Sequence, residues 1–250
     1  GGVNGIAFSP DGRSLGVAGR DGIFRVFDVA TGTLCGGCTS YYGAFLCLAW
    51  SPDGRFVVLG GEDDLVSVYS CRDRCIVTWG EGHKSWVTSV VWDRWWQPPR
   101  SVLEVSGSPQ TSYRILSTGQ DTQVLVWDFE PPENVPEHRR APSVTLSPLP
   151  MEQPPAPNAK GHRRGSSKTA GSLGGGFGSF ESMESLNFTP LNEAIAPSVP
   201  RSEMVWMAPV AQSVADEEPV CCLAVVEGGL FTAAADGRLR FWARPAGSTA

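Results

Sequence analysis

The chain has 250 residues, 41% of them hydrophobic and only 18% charged, with 29 glycines and 20 prolines; this composition can build a core and excludes a wholly disordered or collagen-like chain. Lys and Arg number 20 against 26 Asp and Glu, a net charge of -6, so the broad positive field that nucleic acid or anionic lipid would need is missing and neither partner is expected. No apolar run approaches the ~18 residues of a membrane span and Gly1-Gly2 opens no signal peptide, so the chain reads as soluble, cytoplasmic or nuclear, and, lacking an initiator Met, as a fragment.

The first elements are short strands. Ile6 to Phe8 is β-branched and aromatic, and Ser9-Pro10-Asp11-Gly12 then makes a turn in which Pro fixes φ and Gly takes φ > 0. Leu15 to Ala18 and Ile23 to Asp28 follow, separated by an Asp21-Gly22 turn. The same order returns 42 residues later: Leu46 to Trp50, Ser51-Pro52-Asp53-Gly54, Phe56 to Leu59, the Asp63-Asp64 turn, and Leu65 to Ser70. We label the strands of each unit a to d.

The turn aspartates mark the period. They fall at Asp21, Asp63, Asp121 and Asp236, so the steps are 42, 58 and 115. The larger steps become regular once two polar, turn-rich insertions are set aside: about 16 residues near Arg94 to Pro109, and the 74 residues from Glu130 to Glu203. A unit of ~40 to 45 residues with four antiparallel strands and a closing Trp-Asp is a WD40 blade, and an array of such units is a β-propeller. Trp127-Asp128 is the literal match. The expected fold is therefore all-β, with about four WD40 blades. Residues 1–129 hold three blades, 130–203 a long insert, 204–243 the final blade and 244–250 a tail. Against the roughly seven blades common in this class, the chain reads as the C-terminal part of a larger ring.

In the third unit, Gly82-His83 precedes strand a. In a WD40 blade such a His joins the turn Asp, a strand-b hydroxyl and the strand-c Trp in a buried hydrogen-bond chain; here these are His83, Asp121, Ser117 or Thr118, and Trp127. This is structural wiring, and Asp21, Asp63 and Asp236 are the matching turn residues of the other units. His138 and His162 lie in the insert, so His83 has no companion for metal ligation. The seven cysteines, including the Cys35/Cys38 and Cys71/Cys75 pairs, offer no set of four zinc ligands; neither metal nor cofactor is expected, and reduced thiols are.

The long insert is rich in Pro, Gly and Ser. It cannot bury enough apolar surface to offset its ordering entropy, so disorder is expected. Arg163-Arg164-Gly165-Ser166 has basophilic kinase spacing, which makes Ser166 a candidate phosphosite. Beyond it, Met204 to Val210 reads as a strand d, and Val220 to Val226, Leu230 to Ala235 and Leu239 to Trp242 as a final a, b and c. The tail, with Pro245 and Gly247, is a poor strand.

The chain resembles one family of WD-repeat proteins, typified by the dystrophia myotonica WD-repeat protein, its vertebrate paralogue and fungal CreC. The resemblance is carried by Ala7-Phe8-Ser9-Pro10-Asp11-Gly12, Gly60-Gly61-Glu62-Asp63-Asp64-Leu65-Val66, Gly82-His83-Lys84-Ser85-Trp86-Val87, Gly119-Gln120-Asp121-Thr122-Gln123 and the closing Arg240-Phe241-Trp242-Ala243-Arg244-Pro245. It implies a non-catalytic subunit that activates or stabilises a ubiquitin-specific protease, alongside a second WD40 cofactor, with no small-molecule substrate.

A partner of a propeller usually meets the rim formed by the d-to-a and b-to-c loops. On that rim the sequence places Tyr41, Tyr42, Lys84 and Trp86 before strands a, and Glu62 and Asp64 in a b-to-c turn; large rim aromatics not demanded by a strand pattern are candidate hot spots. Trp95 and Trp96, with Pro98 and Pro99, fall on the opposite rim and read as cover for a hydrophobic edge. The rival functions are a ubiquitin-ligase substrate receptor and a generic WD40 scaffold. Many such receptors carry an Arg two residues beyond the Trp-Asp pair, where this chain has Glu130 after Trp127-Asp128 and Ala30 after Phe27-Asp28. No Ser-His-Asp, HExxH or paired-carboxylate motif supports an enzyme.

Overall fold

The computed structural model describes residues 1–97, 112–141 and 194–244. Ser166, Pro98, Pro99, His162, most of the long insert and the tail beyond Arg244 lie outside the described residues.

The described residues form four β-sheets, each built on one repeat unit. The first holds β1 (Val3–Phe8), β2 (Ser14–Gly19), β3 (Ile23–Asp28) and β4 (Leu34–Thr39), and the second β5 (Phe45–Trp50), β6 (Phe56–Gly61), β7 (Leu65–Ser70) and β8 (Cys75–Glu81). The third begins with β9 (Val87–Trp92), β10 (Tyr113–Gly119) and β11 (Gln123–Phe129). Consecutive strands are antiparallel throughout these blades.

Local chemistry explains the turns. Ser51 Oγ donates to Asp53 Oδ1 at 2.7 Å and accepts the Phe56 amide at 3.0 Å, while Gly54 sits at φ 72°, a conformation that a Cβ would strain. Ser9, Asp11 and Gly12 repeat that arrangement, with Gly12 at φ 71°. Every strand a also enters its sheet through an irregular register, at Val3/Gly5, Phe45/Cys47, opposite Thr118/Gly119, and at Val220/Cys222. Such bulges turn the strand next to the loop rim.

Blade 2 lies between blades 1 and 3, and all residues of β6 and β7 are buried. The core runs through all three, from Phe24 and Phe45 to Tyr69, Trp79, Ile115, Trp127 and Phe129. Burying a side chain such as Phe24 or Phe45 contributes about 1.5–3 kcal/mol. The tryptophans that close β5 and β9 tie neighbouring blades together: Trp50 Nε1 donates to Ala7 O and Trp92 Nε1 to Ala49 O, both at 2.9 Å. Tyr113 in blade 3 donates to Asp53 in blade 2 at 2.5 Å.

The last sheet contains β15 (Val220–Val226), β16 (Gly229–Ala234) and β17 (Leu239–Ala243). Arg244 binds the buried Asp93 of blade 3 through two hydrogen bonds of 2.8 Å, and Thr88 Oγ1 donates to Val220 O.

Two expectations are corrected. The flanks of the long insert are structured: residues 130–141 carry a 3-10 turn at Glu137–Arg139, and residues 194–203 carry β12 (Ile195–Ala196) and a second 3-10 turn at Arg201–Glu203. Nor does Met204 to Val210 form strand d of blade 3. Within it, β13 (Val205–Met207) pairs in parallel with β8, as β12 does with β4, and the outer strand of blade 3 is instead β14 (Ala211–Val214), antiparallel to β11. The stretch from 204 to 214 thus belongs to blades 2 and 3, and the final blade starts at Val220. The reason is that β4 and β8 present unpaired edges that an extended segment can satisfy.

Candidate docking surface on the loop rim

In blade 3 the buried hydrogen-bond chain is complete. Trp127 Nε1 donates to Ser117 Oγ at 2.8 Å, Ser117 Oγ lies 2.8 Å from His83 Nε2, and His83 Nδ1 lies 3.0 Å from both Asp121 oxygens. One polarity satisfies every member: indole to hydroxyl, hydroxyl to Nε2, and Nδ1–H to carboxylate. Thr118 takes no part, since its buried Oγ1 has no partner among the described residues. Burial pushes the pKa of Asp121 up, but the hydrogen bonds from His83 and the Lys84 amide outweigh it and leave the pKa below the ordinary value. Gly119 is needed here, because a Cβ would stand 2.9 Å from Trp86 O and 3.0 Å from His83 Nδ1.

Blade 2 builds the same corner without the imidazole. Tyr41 occupies the place 42 residues before His83, and its amide donates to Asp63 Oδ2 at 3.3 Å. Leu65 N donates to the other oxygen at 3.2 Å. Burial dominates over these amide bonds and pushes Asp63 up to about 6. Asp21 in blade 1 is held low by Arg25, its ion-pair partner at 2.8 Å. Asp236 accepts from Arg238 N at 3.0 Å and pairs with its side chain.

These corners fix the rim loops and leave aromatic rings outside. Tyr42 is 71% exposed, and Tyr41 and Trp86 are each 43% exposed. Lys84 is exposed too, its amide bound to Asp121 at 2.9 Å. Glu62 is braced inward: its Oε2 accepts the Ala44 amide at 3.0 Å and its own amide donates to Ala44 O. Asp64 sits at φ 61°, and burial followed by the field of Asp121 raises its pKa. The structure therefore gathers Glu62, Asp63 and the 40–44 loop on one side, and Asp64 with His83, Lys84 and Asp121 on the other.

Three further aromatic or cationic partners were not legible in sequence. Tyr41 stands edge-on to Trp79 at 5.4 Å, Trp79 packs on Trp206 at 5.6 Å, and the Arg201 guanidinium lies over both Tyr41 and Trp206. On the opposite rim Trp95 is 41% exposed and Trp96 stacks under Arg114 at 4.5 Å.

Nothing in the described geometry resembles a reaction centre. Among the described residues no group of three His, Cys, Asp or Glu side chains is placed to hold a metal. The seven cysteines are free, and burial pushes Cys47 and Cys71 up to about 12 and Cys75 to about 11, far from thiolate chemistry. His138 meets Glu203 at the surface.

Residues 1–28 and 34–70 match the family described as WD domain, G-beta repeat. The UBP9-binding protein bun62 of Schizosaccharomyces pombe is 31% identical over 246 residues, an alignment covering 97% of this chain and 40% of that protein. Among solved structures, U3-55K superposes with a TM-score of 0.55 at 14% identity over 97% of this chain and 49% of its own. The RRP9 WD40 repeats give 0.54 at 14% identity, over 96% and 47%. The likeness to these two concerns the fold alone. The chain spans 40% of the length of bun62 and about half that of the two solved chains. Repeat period, blade topology and family match agree, and the chain is a WD40-repeat protein.

Proposed function

We propose that this chain is a non-catalytic docking part of a regulatory subunit for a ubiquitin-specific protease, engaged through the rim that carries Tyr41, Tyr42 and Trp86. The single observation that carries the reading is the exposure of these rings on loops whose backbones are clamped by Asp63 and Asp121. Rigid, exposed aromatics bind at low entropic cost and form hot spots. The choice of partner is supported by the UBP9-binding relative and by the sequence resemblance. A second WD40 cofactor belongs to the same proposal, as does a cytoplasmic or nuclear location. Regulation by such a subunit operates through tighter binding to the competent state of the enzyme than to its idle state.

The test is affinity purification of the full-length protein with identification of the co-purified proteins. The wild type is expected to recover a ubiquitin-specific protease, and a folded Tyr42→Ala, Trp86→Ala double variant to lose it, since each buried interface aromatic contributes about 2 kcal/mol or more. Recovery of ubiquitin-ligase adaptors in place of a protease would replace this reading with the substrate-receptor one.

A further inference from the structure

The chain that returns from the long insert reaches the rim. After β12 it makes the 3-10 turn at Arg201–Glu203, then runs as β13 beside β8, with Trp206 paired to Trp79 in register. The turn is locked to the strand, because Trp206 Nε1 donates to Arg201 O at 3.3 Å. The Arg201 side chain is aimed by two contacts: Nη2 meets Glu81 Oε1 at 2.9 Å, and the guanidinium lies 4.7 Å from the Trp206 ring centre. The same guanidinium lies 5.5 Å from the centre of the Tyr41 ring.

Tyr41 is therefore held from two directions. Its backbone is fixed by Asp63 from within blade 2, and its ring is fixed by Trp79 and by Arg201 at the outer edge. Tyr42, the most exposed rim aromatic, is the next residue. A planar cation over an aromatic face restrains the ring without covering it.

We propose that Arg201 is a positioning residue for the docking rim, holding the Tyr41 ring and through it the Tyr41–Tyr42 loop in the conformation that receives the protease. This rests on the docking function proposed above. The insert's return arm is thereby part of the recognition surface, although it lies some 160 residues from Tyr41 along the chain. The ion pair with Glu81 is half-exposed, so its role here is aim more than stability.

Two readouts on the full-length protein test the proposal. Arg201→Ala is expected to speed amide hydrogen exchange at residues 41–44 while leaving β6 and β7 protected. It is also expected to weaken binding of the purified UBP9 counterpart about three- to tenfold, mainly through faster dissociation. Arg201→Lys, which keeps the charge but not the planar stack, should restore part of the affinity. In a Tyr41→Ala background, Arg201→Ala should have no further effect on binding.

Unchanged exchange at residues 41–44 would overturn the positioning role whatever happens to binding. So would a binding loss that persists undiminished in the Tyr41→Ala background. Faster exchange with unaltered affinity, where Tyr42→Ala does weaken binding, would remove the link to docking. If Tyr42→Ala and Trp86→Ala themselves leave binding intact, the docking function fails, and the exchange data alone decide whether Arg201 positions the loop.

Discussion

Asp63 and Asp121 occupy the same turn of successive blades and end with opposite proton affinities. Asp121 faces an imidazole that donates to it, and Asp63 faces only backbone amides within a buried corner. The sequence displayed this difference as His83 against Tyr41 at equivalent positions. It did not display the consequence, which depends on how far the corner is buried. It also left Ser117 and Thr118 as alternatives; both are buried, and only the opposite faces of the sheet to which neighbouring β10 residues project separate them. Because the folded pKa of Asp63, about 6, lies above its unfolded value, the folded state binds the proton more tightly. Its contribution to stability is fully present below about pH 4 and is lost as pH rises through about 6. Asp64 is shifted in the same direction. Asp63→Asn should therefore flatten the pH dependence of the urea midpoint between pH 4 and 6.5. An unaltered pH profile in the variant would contradict this assignment.

Strands a, b and c of the blades were legible because alternation, Asp-Gly turns and the 42-residue period all pointed to one answer. The parallel edge strands β12 and β13 were not, because two or three residues carry no periodic signal and their partners lie across the insert. They form because β4 and β8 would otherwise end in unpaired backbone groups. The two flanks of the insert hold each other. Arg139 is buried and donates to Ile76 O at 2.7 Å and to Glu203 O at 3.4 Å, and Thr78 Oγ1 donates to Val205 O at 2.8 Å. Arg139→Ala leaves the Ile76 and Glu203 carbonyls without this donor, at about 1–3 kcal/mol. Hydrogen exchange should then rise in residues 194–207 while β14, held by its own ladder to β11, stays protected. Equal loosening of β14 would show that the return arm and blade 3 are one cooperative unit.

At the scale of the molecule, the position that closes strand a is read three times with different outcomes. Trp50 and Trp92 each bind the preceding blade, whereas Phe8, at the same repeat position, is 59% exposed beside Ile6 at 64%. On β17, Leu239 and Phe241 are 68% and 52% exposed on one face. These faces have the side chains of blade contacts, and contiguous apolar surface of this kind drives association. The 250-residue chain alone is expected to self-associate reversibly in sedimentation velocity, and Ile6→Lys with Phe8→Glu to shift it towards monomer. A monomer at high micromolar concentration for the parent chain would contradict the assignment.

The proposed role is regulation of a ubiquitin-specific protease through the clamped aromatic rim. The most direct test is steady-state cleavage of a ubiquitin substrate by the purified UBP9 counterpart, with and without the full-length protein. A rise in kcat with little change in KM is expected, abolished by Tyr42→Ala with Trp86→Ala in a folded variant. No change in either constant, or a rise that the double variant retains, would contradict it.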